Sequence, residues 1–188
     1  GSMSRYSRML LHFMHVLTAL RNDVHTFLFG TRLTNVTRFL RFKDVDEALA
    51  ATSSAVEDWS GGTRIGDCLK EFNFNWSRRV LGPGAIVLFI TDGLDRGGGI
   101  GLSKQIKMIQ KSSKRLIWLN PLLRYEEFAP KPTGVKAILP HVDEFRPIHS
   151  LESMDQLVNA LSETNLQSRF NMAPWLEKLS EIENAEYH

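Results

Sequence analysis

Two uninterrupted apolar runs, Ala85–Ile90 and Leu116–Leu119, constrain the fold of this chain more than any other feature. A continuous apolar run of this length suggests a strand buried on both faces, which is the habit of parallel sheets with a helical layer on each side. Between the runs lies a segment with Ile106 and Ile109 on one face and four lysines outward, the pattern of an amphipathic helix. Strand, helix, strand in that order argues for an open, mostly parallel α/β sheet with right-handed crossovers.

The remaining chain fits that frame. Tyr6, Met9, Leu10, Phe13, Leu17 and Leu20 recur every three or four positions and predict an N-terminal helix. Val24 to Phe29 reads as a strand closed by Gly30, and Leu33 to Phe42 as its hairpin partner at the sheet's edge. Asp44, with Glu47 three residues on, predicts the N-cap of a helix carrying Val45, Ala48, Leu49, Val56 and Trp59. After the break at Ser60-Gly61-Gly62-Thr63, a further helix places Ile65, Leu69, Phe72, Trp76 and Val80 on one face, until Gly82-Pro83-Gly84 stops it. Pro121 to Pro140 is loop-rich, Phe145 to Ile148 a short strand, and Leu151 to Leu161 a helix. The expected organisation is one doubly wound domain over residues 1–165, with helices on both faces of the sheet. A helical tail over 166–188 packs on it through Phe170, Trp175, Leu176, Leu179 and Ile182.

Composition removes several classes of function. With 23 basic and 21 acidic residues among 188, the net charge of +2 is too small for a nucleic-acid platform. A single cysteine, Cys68, excludes an internal disulfide framework and a cysteine-built zinc site, and its place on a helix suggests a packed thiol. The longest nearly apolar stretches run about eight residues, against roughly 20 for a membrane span, and no secretory signal is visible. The expectation is a globular, cytoplasmic protein. Charge is uneven nonetheless: Arg96 to Arg124 holds seven basic residues and no acidic one. Lys104, Lys107, Lys111 and Lys114 fall at helical spacing, so they form either a solvated face or a docking surface for an acidic partner.

In doubly wound sheets ligands bind beyond the carboxyl ends of the strands. Two loops qualify: Thr91-Asp92-Gly93-Leu94-Asp95 after the most apolar strand, and Gly61-Gly62-Thr63 at the start of a helix. A hydroxyl and carboxylates converging there are hard-oxygen chemistry suited to Mg²⁺ or Mn²⁺. The plainer alternative is that Asp92 caps a turn and Thr63 N-caps its helix. Gly97 to Gly101 is a glycine-rich loop without the Lys-Ser/Thr of a P-loop, and a flexible turn is its simplest reading. His12 and His15 have no nearby acidic partner, and nothing resembles a Ser-His-Asp or Cys-His arrangement.

Gly61-Gly62-Thr63-Arg64-Ile65-Gly66 and Val87-Leu88-Phe89-Ile90-Thr91-Asp92-Gly93-Leu94-Asp95-Arg96-Gly97 resemble the second and third metal-site segments of von Willebrand factor A (VWA) domains, in the wording of the CoxE-like branch. Phe29-Gly30-Thr31-Arg32-Leu33, Trp76 to Leu81, Arg115 to Leu122 and Leu139 to Asp143 extend the resemblance over most of residues 1–161. It implies a metal-ion-dependent adhesion site, in which Thr63 matches the family's threonine and Asp92 its later aspartate. The family's first loop reads D-x-S-G-S-M and this chain begins Gly1-Ser2-Met3. Ser2 therefore matches the last serine, unless Gly1-Ser2 is the scar of a cleaved tag. On that match the first aspartate, the first serine and the central first strand of the family's pattern have no counterpart in residues 1–188. The strands Val24–Phe29 and Ala85–Ile90 would then pair directly or accept a strand from elsewhere.

The resemblance further implies a non-enzymatic adaptor that grips a client or ATPase carboxylate through Mg²⁺ or Mn²⁺. Its partner would be a MoxR-type AAA+ ATPase, and its client an enzyme such as carbon monoxide dehydrogenase during metal-cofactor assembly. Lys104, Lys107, Lys111 and Lys114 would form a second docking surface, and exposed strand edges would permit a homodimer. A different class remains open beside it: a small nucleotide- or phosphate-binding enzyme of doubly wound fold using the glycine-rich loop and Asp92.

Overall fold

A computed structural model describes residues 4–56, 62–97, 99–121, 123, 133–162 and 172–187. Helix α1 (Ser4–Leu20) leads into a hairpin of β1 (Phe27–Phe29) and β2 (Leu33–Asn35). The helices α2 (Thr37–Leu40), α3 (Val45–Ala55), α4 (Ile65–Asn75) and α5 (Ser77–Val80) follow. Then come β3 (Ile86–Ile90), α6 (Leu102–Ser112), β4 (Arg115–Asn120), α7 (Thr133–Ile138) with a 3-10 turn over Leu139–His141, β5 (Glu144–Pro147), α8 (Leu151–Ser162) and α9 (Ala173–Glu186).

Strands β3, β4 and β5 form a parallel sheet in chain order. Its register sets Phe89 beside Trp118 and Trp118 beside Phe145, and the last two rings stack 4.4 Å apart. That aromatic row faces Ile65 and Leu69 of α4, Ile106 and Ile109 of α6, Val135 and Ile138 of α7, and Trp175 and Leu179 of α9. The opposite face, with Ile117 and Leu119, is covered by Leu10 and Phe13 of α1 and Met154 and Leu157 of α8. Helices on both faces of a parallel sheet make this a doubly wound α/β fold. Each fully buried large apolar side chain in it contributes about 1.5–3 kcal/mol.

Among the described residues Glu144 in β5 is the charged side chain that this interior buries. It is 4% exposed and lies between the guanidiniums of Arg115 (2.5 Å) and Arg146 (2.9 Å). Arg115 also donates to the Ala160 carbonyl, so the group ties β4, β5 and α8 together. The tail helix packs on the body through Trp175, whose ring meets Phe145 edge-on at 5.0 Å.

Several expectations need correction. The strand expected over 24–29 is only Phe27–Phe29, and the strand expected over 33–42 stops at Asn35. Asn35 Oδ1 accepts from the Thr37 N–H (3.0 Å) and hydroxyl (2.7 Å), and this local bonding turns the chain into α2. The helix expected to run on to Val80 breaks at Trp76, whose ring packs edge-on against Phe27. The Ser77 hydroxyl bonds back to the Asn73 carbonyl at the same point, and α5 buries nothing. Within the loop-rich 121–140 stretch lies α7. Trp59, Ser60, Gly61, Gly98 and Phe170 fall outside the described residues.

The strands of 24–29 and 85–90 were expected to pair directly or to accept another strand. Among the described residues β1 pairs only with β2, and β3 only with β4. Direct pairing is therefore absent, although the Phe29 ring stacks on Phe89 with centroids 5.7 Å apart. The consequence for β3 is partial burial: only Phe89 is buried and Ile86 is 40% exposed. Among the described residues, a run expected to be buried on both faces lies instead at the edge of its sheet.

Candidate functional site

At the carboxyl end of β3, Thr91 is 2% exposed and held from several sides. Its N–H donates to the Leu119 carbonyl (3.1 Å), its own carbonyl accepts from the Trp118 indole (2.9 Å), and its hydroxyl accepts from the Gly93 N–H (3.1 Å). The chain then turns at Gly93, which has a φ of 82°. A Cβ on Gly93 would lie 2.8 Å from Val135, and one on Gly134 would lie 2.1 Å from the Gly93 carbonyl oxygen. Neither position has room for a side chain, which is how the start of α7 comes to lie against this loop.

Asp92 is half-buried, and its Oδ1 accepts from the Leu94 N–H at 3.0 Å, so the turn-capping expectation for Asp92 holds. The expectation that Thr63 caps its helix does not. The residue preceding α4 is Arg64, without a side-chain cap, and the Thr63 hydroxyl makes no hydrogen bond among the described residues. The capping oxygen comes from Asp95, thirty positions along the chain: Oδ1 accepts from the Ile65 N–H at 2.9 Å and Oδ2 from the Gly99 N–H at 3.1 Å. Local sequence rules look for a cap beside its helix, so Asp95 carried no signal of this role.

These bonds bring the two predicted loops together. Besides the Asp95 bridge, the Arg96 N–H donates to the Thr63 carbonyl at 3.0 Å. The Arg64 N–H donates to the Gly30 carbonyl at 2.9 Å, tying the β1–β2 turn to α4. Cys68 reaches the same carbonyl at 3.6 Å. It is 1% exposed, and burial pushes its thiol up to about 11, the state of a packed and unreactive group. Between the hairpin turn, the first turn of α4 and the loop lies a cavity of about 490 Å³, lined by Thr31, Arg64, Asp67, Arg96 and Gly97.

As a cation site the arrangement is partial. Asp92 and the Thr63 hydroxyl are hard oxygen donors of the right type, but both Asp95 oxygens already serve backbone N–H groups. No group of three or more His, Cys, Asp or Glu suited to a metal occurs among the described residues. Ser2, the third expected donor, lies outside them.

The basic face is partly as expected. Lys104, Lys107 and Lys111 are exposed on α6, whereas Lys114 lies past the helix end, where its N–H donates to the Ala85 carbonyl. Nearby, His141 Nε2 and the Ser103 hydroxyl are 2.7 Å apart. Burial, with Lys107 second, pushes the His141 pKa below its ordinary value.

Asp95 and the Arg96 N–H thus lace the Thr63 and Asp92 loops together at the carboxyl end of β3. The family model for VWA domain containing CoxE-like proteins matches residues 1–154. The chain belongs to the CoxE-like VWA family. No curated protein and no solved structure matches it. Within this CoxE-like VWA domain no helix among the described residues is long and apolar enough to cross a membrane.

Proposed function

We propose that this CoxE-like VWA domain is a non-catalytic, cytoplasmic adaptor that grips a carboxylate of a partner protein through Mg²⁺ or Mn²⁺. Thr63 and Asp92 would hold the cation together with Ser2, and water would fill the positions they leave, as Mg²⁺ tolerates. The cation would supply the charge that a carboxylate completes. The chain's own part is to present the Thr63 hydroxyl and the Asp92 carboxylate on loops fixed by Asp95. The observation carrying this reading is the lacing of the Thr63 and Asp92 loops at the strand ends of a VWA-family chain. The partner in this reading is a MoxR-type AAA+ ATPase, with a client enzyme such as carbon monoxide dehydrogenase undergoing metal-cofactor assembly. Exposed Lys104, Lys107, Lys111 and Lys114 form a second docking surface, and self-association uses the free edge of β3.

Calorimetric titration with Mg²⁺ and Mn²⁺, beside a Thr63→Ala/Asp92→Ala double variant, tests the proposal. Saturable binding lost in the variant is expected. Binding equal in both proteins, or absent from both, would remove the cation from the mechanism.

A further inference from the structure

The cavity between the β1–β2 turn and α4 adjoins the Thr63–Asp92 loops but has its own chemistry. Among the described residues its walls carry two guanidiniums, Arg64 and Arg96, the Thr31 hydroxyl and one carboxylate, Asp67. Arg64 reaches Asp67 only at 4.0 Å, with the two side chains 62% and 73% exposed. An exposed pair at that distance is worth little and yields readily to a better-placed anion. The Arg96 side chain passes close over Gly62, where a Cβ would fall 2.1 Å from the Arg96 Nε and where the φ of 85° itself favours glycine. The loop that carries Arg96 and Gly97 also carries two exposed apolar residues, Leu94 at 50% and Ile100 at 88% exposure, and the Ile100 backbone lies against Gly66 of α4. Positive charge and exposed apolar surface at one end of the sheet complement a segment that is acidic and apolar together.

We infer that the Arg64–Arg96 cavity binds a carboxylate of the docking partner directly, without a metal, while Leu94 and Ile100 receive an apolar neighbour of that acid. The inference rests on the reading above in taking this end of the sheet as the docking face. It adds a second acidic group to the recognised segment: one carboxylate for the cation, another for the guanidiniums. Guanidinium and carboxylate match as planar forks, so the contact selects an acid over an amide of the same shape.

The test uses the full chain and a fluorescein-labelled peptide centred on Asp-Glu-Leu-Leu, read by anisotropy in EDTA. A second peptide carries Asn-Gln in place of the two acids. The acidic peptide should bind in EDTA and the amide peptide should not. Arg64→Gln and Arg96→Gln should each weaken binding about tenfold, the size of one lost charge-assisted hydrogen bond. Arg64→Lys should fall between, and the remote Lys43→Gln should bind as the parent does. Because Arg96 packs on Gly62, its variant is compared with the parent by circular dichroism, and Arg64→Gln carries the test if it unfolds. No binding in EDTA, equal binding of both peptides, or unchanged binding by Arg64→Gln would overturn the inference. Mg²⁺-dependent binding alone would leave the cation reading standing and sink this one. EDTA-resistant binding with no Mg²⁺ increment would do the reverse.

Discussion

Asp95 shows what a single carboxylate can organise. One oxygen caps α4 and the other holds the Gly99 N–H, so it closes the loop that carries Asp92 and fixes the helix start beside Thr63. Asp95→Ala leaves both N–H groups without their acceptor and should lower stability by about 1–2 kcal/mol, the usual cost of losing such a cap. Urea unfolding measures it, and a change below about 0.3 kcal/mol would show that water replaces the carboxylate at no cost. The sequence marked Thr63 and Asp92 as adjoining but not the residue that joins them. Charge pattern and spacing report neighbours one helical turn apart, whereas this contact spans thirty positions and exists only once β3 and α4 are packed.

Legibility of the elements follows the same division. β3 and β4 were readable because an all-apolar run has few alternatives, and α3 because Asp44 accepts from the Glu47 N–H (2.8 Å) as the capping spacing requires. The short α7 was not readable, since six residues hold too few apolar positions to show a period. β2 was overread because its polar β-formers also suit the Asn35–Thr37 turn that ends it. At this scale, the Ser103–His141 contact joining α6 to the 3-10 turn carries a pH dependence. Burial lowers the His141 pKa, so the folded chain holds the neutral ring while the unfolded chain protonates first. The contribution is therefore complete above the ordinary imidazole range and declines as pH falls through it. Melting temperatures from pH 8 to 5 should fall less steeply in His141→Gln than in the parent; equal slopes would assign the acid sensitivity elsewhere.

For the whole molecule, the open edge of β3 matters most. Its five residues are apolar, Ile86 is 40% exposed, and no strand lies hydrogen-bonded on that side among the described residues. Such an edge is a template for further pairing, and a lysine on it is the usual natural remedy. Light scattering should show the mass of the parent rising with concentration. Ile86→Lys should suppress that rise and change stability by no more than about 0.5 kcal/mol, as substitutions at exposed positions do. A constant parental mass would mean that the edge recruits nothing from a second copy.

The mutual approach of Gly93 and Gly134, beneath loops already closed by Asp95, bears on what a weak ligand gains there. Ordering a slack loop at the moment of binding would consume much of the attraction that one or two carboxylates can offer. Here the loop conformation is settled during folding. A shallow, polar contact can then remain selective while releasing its partner quickly, the kinetic profile of a part that is visited many times rather than occupied once.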